Sequence, residues 1–235
     1  MVSQRGALSG RPKASRKIDV ADYQRAYSPE RKAERYSDLM QTTDRLFRER
    51  GFHEVSISSV AKELGWTRSN IYRYASTIEE VFLALYKEKY NEFTDDLMAS
   101  VHAKPAATPQ DLGLLFCDVA ERHRDFLDYQ SILGSIIETN IPREMLVGFK
   151  QELEAKNSNG TQLVLDCLPH LTYERALEVF IGMIYLACGA NSHFRCAEKQ
   201  PSAMKEAGVR FGVNGFRGTL EPLVEALLAG TASAQ

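Results

Sequence analysis

The sequence lacks the short motifs by which many enzyme classes are recognised. It has no glycine-rich phosphate-binding loop, no Gly-x-Ser-x-Gly, no His-Glu-x-x-His and no Cys-x-x-Cys, so the usual signatures of nucleotide binding, serine hydrolysis, zinc proteolysis and dithiol chemistry are missing. Adjacent carboxylates such as Asp95 and Asp96 point in different directions on a helix and form no acid–base pair. We therefore expect no catalytic residue, no metal site, no cofactor and no enzymatic activity.

Long apolar runs are also missing. No stretch approaches the ~20 apolar residues that cross a bilayer, and the N-terminus has no apolar core of a signal peptide. The four cysteines, Cys117, Cys167, Cys188 and Cys196, have no metal-ligand spacing. We expect a cytoplasmic protein with reduced cysteines and no membrane partner, with a redox-sensing cysteine pair as the alternative.

Charge is unevenly distributed along the chain. The 235 residues carry a net charge of −2, but residues 1–76 alone sum to +6 and the remainder to −8. A basic N-terminal third followed by an acidic remainder fits a nucleic-acid reader joined to a body that does not bind DNA. The alternative is an uneven surface without function.

The periodicity predicts an all-α protein, because apolar residues recur at helical spacing and strict alternation is absent. Residues 1–28 read as a disordered basic arm, either a solvated tail or a segment that lies along DNA. We predict a three-helix domain over 29–76 and a connecting helix over 77–103. A helical-bundle domain follows over 109–235, with helices near 110–123, 125–138, 142–167, 173–194 and 216–229 and a short one near 202–211. The polar run at 157–160 is expected to interrupt the third of these.

The stretch from Ser56 to Glu80 predicts a helix-turn-helix. Val60, Ala61 and Leu64 form one apolar helix face, and Gly65 ends that helix because glycine adopts the left-handed conformation without strain. Thr67 is predicted to cap the next helix with its side chain. On that second helix Ile71 and Tyr74 face inward, which leaves an outer face of polar, charged and aromatic side chains suited to a DNA major groove.

Several motifs in register resemble the DNA-binding domain of the TetR family of transcriptional regulators, over about residues 31–90. They are Leu46-Phe47, Gly51-Phe52, Ser56-Ile57, Val60-Ala61, Gly65-Trp66-Thr67 and Ile71-Tyr72-Arg73-Tyr74. Two positions depart from the pattern, since Ala75 replaces the usual Phe and Ile78 the usual Lys. We expect Trp66 to compensate by packing against Ala75, and the loss of the lysine to remove one phosphate contact.

The resemblance implies a ligand-responsive regulator, a repressor in most cases. It would bind a palindromic double-stranded DNA operator as a homodimer and release it when a small-molecule effector enters the C-terminal domain. Within the motif, residues at the start of the second helix meet base edges and their neighbours hold phosphates. The predicted DNA-binding residues are Ser56, Ser58, Thr67, Arg68, Ser69, Asn70, Tyr72 and Arg73.

The C-terminal helices offer apolar and aromatic side chains with a few polar groups that would suit an apolar or amphipathic effector, such as Tyr129, Gln130 and Asn191. The effector and its binding residues are not identified by the sequence. In the family the last two long helices form the dimer bundle. Here a stripe of Leu220, Leu223, Val224, Leu227 and Leu228 is predicted to pack against the partner, or else to cover the subunit's own core. Two alternatives stay open: a helical enzyme with an incidental N-terminal resemblance, and a DNA-binding dimer without a ligand pocket.

Overall fold

The computed structural model describes residues 29–199, 201–208 and 215–232, and every regular element within these ranges is helical. The predicted all-α class is confirmed. No helix in the described ranges is long and apolar enough to cross a membrane. The predicted basic arm, residues 1–28, lies outside the described residues.

The N-terminal part of the described chain is a small helical head. Helix α1 spans Pro29–Arg50, a 3-10 turn spans Phe52–Glu54, α2 spans Ile57–Leu64 and α3 spans Arg68–Ile71. The apolar side chains of α1 are buried from Leu39 to Phe47, whereas Tyr36 nearer its start is 38% exposed. Salt bridges from Arg45 to Glu63 (2.7 Å) and from Arg50 to the same carboxylate (3.8 Å) join α1 to α2.

The body follows as a bundle of longer helices. These are α4 (Ile78–Ala103), α5 (Pro109–Arg122), α6 (Arg124–Ile132), a π-helical segment (Leu133–Ile137), α7 (Arg143–Cys167), α8 (Tyr173–Lys199), α9 (Pro201–Glu206) and α10 (Gly215–Ala232). Local signals explain two of the starts. Thr77 caps α4 through a bond from the Glu80 amide, and Thr108 with Asp111 forms a capping box ahead of Pro109 at the start of α5.

Helix α4 connects the head to the body. It packs against α1 of the head and against α5, α6, the π segment and α7 of the body, while α8 packs against α6, α7 and α10. Stacked or tilted rings fill the space between α4 and α6, with Phe93 and Phe126 centroids 4.9 Å apart. Nine residues of α4 are buried, so this helix is held along most of its length by both parts of the protein.

The predicted interruption of the helix at 157–160 is wrong, because α7 runs unbroken through it. Asn157 is only 7% exposed and accepts a hydrogen bond from the Tyr90 hydroxyl. A Cβ at Gly160 would lie 2.2 Å from the ring of Phe180 on α8. These polar and small residues therefore contribute to packing between α7 and its neighbours. Tertiary contacts outweigh their low intrinsic helix propensity, so the backbone stays helical.

The predicted helix over 125–138 is also corrected in its second half. Its α-helical part ends at Ile132 and continues as the π segment, closed by a bond from the Glu138 amide to the Leu133 carbonyl (2.9 Å). π-Helical turns are rare and occur often at functional sites. No pattern in the sequence distinguished this segment from ordinary helix.

Candidate DNA interface and ligand cavity

The helix-turn-helix forms from the local signals that the sequence carries. Ser56 opens α2 with a capping box, in which its hydroxyl accepts from the Ser59 amide (3.1 Å) and its own amide donates to the Ser59 hydroxyl (2.8 Å). Gly65 ends α2 in the left-handed conformation, with φ 65° and ψ 25°. Thr67 then stands in extended conformation at the start of α3.

Helix α3 presents a two-sided surface. Ile71 is fully buried and Tyr74 half-buried, which fixes the helix on the head. Thr67, Arg68, Ser69, Tyr72 and Arg73 are exposed, and Asn70 is half-buried. Arg68 forms no salt bridge within the described part of the chain, so its guanidinium keeps its full set of donors for an external partner.

The structure changes the roles predicted for the side chains of Thr67 and Ser56. Thr67 does occupy the cap position of α3, but its side chain makes no capping hydrogen bond, so that prediction is wrong. Ser56 uses its hydroxyl and its amide in the capping box, whereas the Ser58 side chain is exposed on the first turn of α2. Of these two serines, Ser58 is the one whose hydroxyl takes no part in the capping box.

Trp66 is half-buried on the head, not an interior residue. Its ring lies 6.3 Å from the ring of Tyr74, and the guanidinium of Arg35 lies over it at 5.6 Å. Ala75 is itself buried, and Ile78 packs half-buried against the core. Both departures from the family pattern therefore contribute apolar packing, Ala75 in the head and Ile78 at the start of α4.

A buried polar contact joins the head to the body. Tyr129 on α6 is fully buried, and its hydroxyl donates to Asp44 on α1 (2.9 Å), which Arg48 also contacts (2.5 Å). The Tyr129 ring packs 4.8 Å from the ring of Phe47 on α1. Burial and the neighbouring Asp44 carboxylate hold the pKa of Tyr129 far above its usual value, so the phenol stays a neutral donor.

A cavity of about 420 Å³ lies between α4, the end of α6 with the π segment, α7 and α8. Its polar wall contains Tyr86, Tyr90, Gln130 and Asn157, so we name it the tyrosine–amide cavity. The Tyr86 hydroxyl donates to the Gln130 side-chain oxygen (2.9 Å), and the Tyr90 hydroxyl donates to that of Asn157. Burial raises the pKa of both tyrosines, which therefore remain protonated.

A second cavity of about 490 Å³ lies between α4 and α7. It shares Tyr86, Tyr90 and Leu153 with the tyrosine–amide cavity, so these three side chains form the partition between the two. Its wall is otherwise formed by Phe149 and Ala155 with a polar rim. We call it the α4–α7 cavity. Together the two spaces offer room and apolar surface for a small molecule.

The residues suggested from the sequence as ligand-contacting polar groups are only partly brought together. Gln130 lines the tyrosine–amide cavity. Tyr129, the preceding residue, contacts Asp44 of the head, and Asn191 bonds with Arg124 and Asp128 on α6. Tyr86, Tyr90 and Asn157 were not predicted from the sequence, because their pairing depends on contacts between distant segments.

The stripe on α10 divides into two groups. Leu220, Val224 and Leu228 are buried within the subunit, so their predicted contact with a partner is wrong. Leu223 is 45% exposed, and Leu227 is half-buried beside Gly182 of α8. Tyr185 on α8 is 63% exposed. Exposed apolar surface thus remains on the two helices that the resemblance assigned to dimerisation.

The part of the chain that the structure describes contains no cluster of metal-binding side chains. No group of three or more His, Cys, Asp or Glu side chains could hold a metal ion there. Cys117, Cys167 and Cys188 are free thiols, and burial raises the pKa of each, which disfavours the reactive thiolate.

Two family models together match most of the chain. The model described as bacterial regulatory proteins, tetR family, matches residues 39–85. The model described as tetracyclin repressor-like, C-terminal domain, matches residues 87–235. The boundary between the two matches falls within α4, the helix that joins head and body.

Individual relatives agree with the family models. The fatty acid metabolism regulator protein of Bacillus subtilis (strain 168) is 26% identical over 76 residues, which cover 32% of this chain and only 39% of that relative. The solved structure of the regulator FadR from Bacillus subtilis in complex with stearoyl-CoA has a TM-score of 0.54 and 17% identity, covering 85% of this chain and 99% of that one. A tetR-family regulatory protein from Rhodococcus RHA1 has a TM-score of 0.58 and 11% identity, covering 85% and 98%.

Proposed function

The chain belongs to the TetR family of bacterial transcriptional regulators, and on this premise we propose that it is a repressor, which binds a palindromic operator as a homodimer and leaves it when a small molecule binds. The observation that carries this proposal is the outer face of α3. Its inner residue Ile71 is fully buried, while Arg68 and Ser69 are exposed. A protein with this role acts on DNA in the cytoplasm.

The proposed DNA contacts fall into two groups, contacts to base edges and contacts to phosphates, according to where each residue lies on the head. Thr67, Arg68, Ser69 and Asn70 lie at the start of α3, the part of this motif that meets base edges. Arg68 reading a guanine supplies about 1–3 kcal/mol of discrimination. Tyr72, Arg73, Ser58 and Ser56 hold phosphates. Because Ser56 already uses its hydroxyl and amide in the capping box, its contribution to the phosphate contact is smaller than that of Ser58.

Two arginine variants test this division on an operator selected from random DNA. Arg68→Ala should relax sequence preference at one base pair of each half-site while non-specific affinity stays nearly constant. Arg73→Ala should weaken all sequences alike and lower the slope of affinity against salt by about one charge. A uniform loss in both variants would refute the base-reading role of Arg68.

Dimerisation is assigned to the exposed apolar surface of α8 and α10. A single head contacts too few bases for useful specificity, so this motif generally binds two half-sites about one helical turn apart. Leu223→Glu should give a monomer in sedimentation that keeps its helical content and loses palindrome binding. Val147→Glu is the matched control, since Val147 on α7 is also 45% exposed. A dimeric Leu223→Glu protein would place the interface elsewhere.

The effector is assigned to the tyrosine–amide cavity and its neighbour between α4 and α7. Two cavities of this size in the body disfavour the alternative of a dimer without a ligand pocket. The ligand named for the FadR structure, stearoyl-CoA, supports a ligand-responsive role without identifying the effector of this chain. By linkage, an effector that weakens DNA binding is itself bound more weakly when DNA is present.

The route from cavity to DNA runs through α6. Gln130 contacts Tyr86 in the cavity wall, and the adjacent Tyr129 contacts Asp44 of the head. A ligand that displaces the Tyr86–Gln130 bond therefore acts on the helix that holds α1 in place. The π segment begins at Leu133, three residues after Gln130, and lines the same cavity. We therefore expect ligand binding to shift the end of α6.

A further inference from the structure

The polar groups of the tyrosine–amide cavity have an unequal balance of donors and acceptors. Each phenol donates to a side-chain amide oxygen, from Tyr86 to Gln130 and from Tyr90 to Asn157. Within the described part of the chain, neither amide nitrogen has a hydrogen-bond partner. Asn157 is more than nine-tenths buried and lines the cavity.

Donors that face a cavity favour ligands that carry acceptors. A ligand that places an acceptor against these amide groups gains a hydrogen bond inside the cavity. With each amide oxygen accepting from a tyrosine hydroxyl, the amide nitrogens are the groups left to donate to a ligand. The wall therefore offers amide donors at two points.

The cavity also gives no net charge to a ligand. Its wall contains one acid and one base, Glu138 and Lys150, and these pair with each other at 2.6 Å. The tyrosines are neutral for the reason given above. A carboxylate entering this space would lose its hydration and find no uncommitted cation. Lys156, which forms no salt bridge among the described residues, lines the neighbouring α4–α7 cavity.

The α4–α7 cavity supplies the apolar part of the site. Tyr86, Tyr90 and Leu153 line both spaces, and the tyrosine rings lie nearly parallel, with centroids 5.9 Å apart and planes at 18°. Phe149 extends this aromatic wall, with its ring 5.6 Å from that of Tyr86. A molecule held at the amides can extend an apolar body along these side chains.

We propose that the effector is an uncharged carbonyl compound, an ester, lactone, carboxamide or ketone on an apolar body, whose carbonyl oxygen accepts hydrogen bonds from the amide groups of Asn157 and Gln130. This inference rests on the proposed function for the consequence of binding, and on the cavity alone for the chemistry of the ligand. It excludes free carboxylates as the preferred effector.

The experiment uses the full chain and three sets of probes. The carbonyl probes are methyl hydrocinnamate, γ-decalactone and N-methyloctanamide, and each is compared with the matched carboxylate and the matched hydrocarbon. Binding is read from the shift in melting temperature and from titration calorimetry. At least one carbonyl probe should bind about tenfold more tightly than both of its matched compounds. Failure of every carbonyl probe to bind, or tighter binding of the carboxylates, overturns the proposal.

Two variants separate the amide donor from the hydroxyl beside it. Tyr90→Phe keeps the Asn157 amide and should keep the preference for carbonyl probes. The double variant Tyr90→Phe with Asn157→Leu removes both polar partners, which leaves no orphaned group and preserves folding. It should lose the preference by about tenfold. An unchanged preference in the double variant, at unchanged helical content, refutes the role of Asn157.

Failure of the ligand chemistry and failure of the proposed function give different results. Carbonyl probes that bind but do not release operator DNA support the ligand class and contradict the repressor mechanism. Operator DNA that binds to the free protein while only carboxylates bind in the body supports the regulator and overturns the ligand class. In the second case Lys156→Gln should abolish carboxylate binding, which would assign the ligand to the α4–α7 cavity.

Discussion

Replacing Tyr129 by phenylalanine removes the hydroxyl that joins α6 to α1 and leaves the ring in place. The ring is fully buried and packs on Phe47, so the substitution creates no large cavity. What is lost is one hydrogen bond of 2.9 Å to the carboxylate of Asp44, a residue that is only 8% exposed. Arg48 remains in contact with that carboxylate, so Asp44 keeps a charged partner.

The expected cost follows from the type of bond. Hydrogen bonds to charged groups contribute about 1.5–3 kcal/mol, and for a chain of this size that corresponds to a fall in melting temperature of about 3–12 °C. Urea denaturation followed by circular dichroism measures the free energy of unfolding. The matched control is Tyr173→Phe, at a tyrosine that is 41% exposed, which should change the free energy by less than about 0.5 kcal/mol.

The location of the effect tests the coupling as well as the stability. Amide hydrogen exchange in Tyr129→Phe should increase along α1 and α6 more than along α10, because the lost bond joins only the first two. If the variant unfolds at the same urea concentration as the wild type and α1 exchanges at its original rate, the Tyr129–Asp44 contact does not hold the head, and the route proposed through α6 is refuted.

Two further predictions concern stability. Gly160→Ala places a Cβ against the Phe180 ring and should lower the free energy of unfolding, measured by urea denaturation, by about 1–3 kcal/mol. In Gly148→Ala, in the same helix, the new Cβ meets nothing within 4 Å, so the free energy of unfolding should rise by up to ~1 kcal/mol. Equal effects of the two substitutions would refute the packing argument. Hydrogen bonding from Arg122 lowers the pKa of Asp96. The ionised Asp96 carboxylate therefore stabilises the fold fully above its unfolded pKa, near 4, and this stabilisation is lost as the pH falls through the lower folded pKa. Asp96→Asn should flatten the acid limb of the curve of unfolding free energy against pH, and an unchanged limb would contradict this.

The sequence predicted the features that depend on neighbouring residues. The turn at Gly65, the start of α4 after Thr77 and the break before Pro109 follow from caps and helix-ending residues a few positions apart, and the structure has all three. The cap at Thr67 failed in part, because the position was right and the side-chain bond was absent.

The features that depend on distant contacts were not predictable in the same way. The polar run at 157–160 resembles a helix break locally, yet Tyr90 and Phe180 from two other helices determine its role. The leucine stripe of α10 has one period along the helix, but its residues divide between the subunit's own core and the exposed surface according to where α5 and α8 lie. The cavity itself has no signature in the sequence, since its wall is assembled from four separate segments.

The most direct test of the regulator is the sequence selected from random DNA by the full chain, followed by operator release with the carbonyl probes. The account predicts a palindrome whose half-sites lie about one helical turn apart, bound by two subunits and released by a probe that binds the tyrosine–amide cavity. Enrichment of no sequence, or of a single half-site bound by one subunit and unaffected by any bound probe, would contradict it.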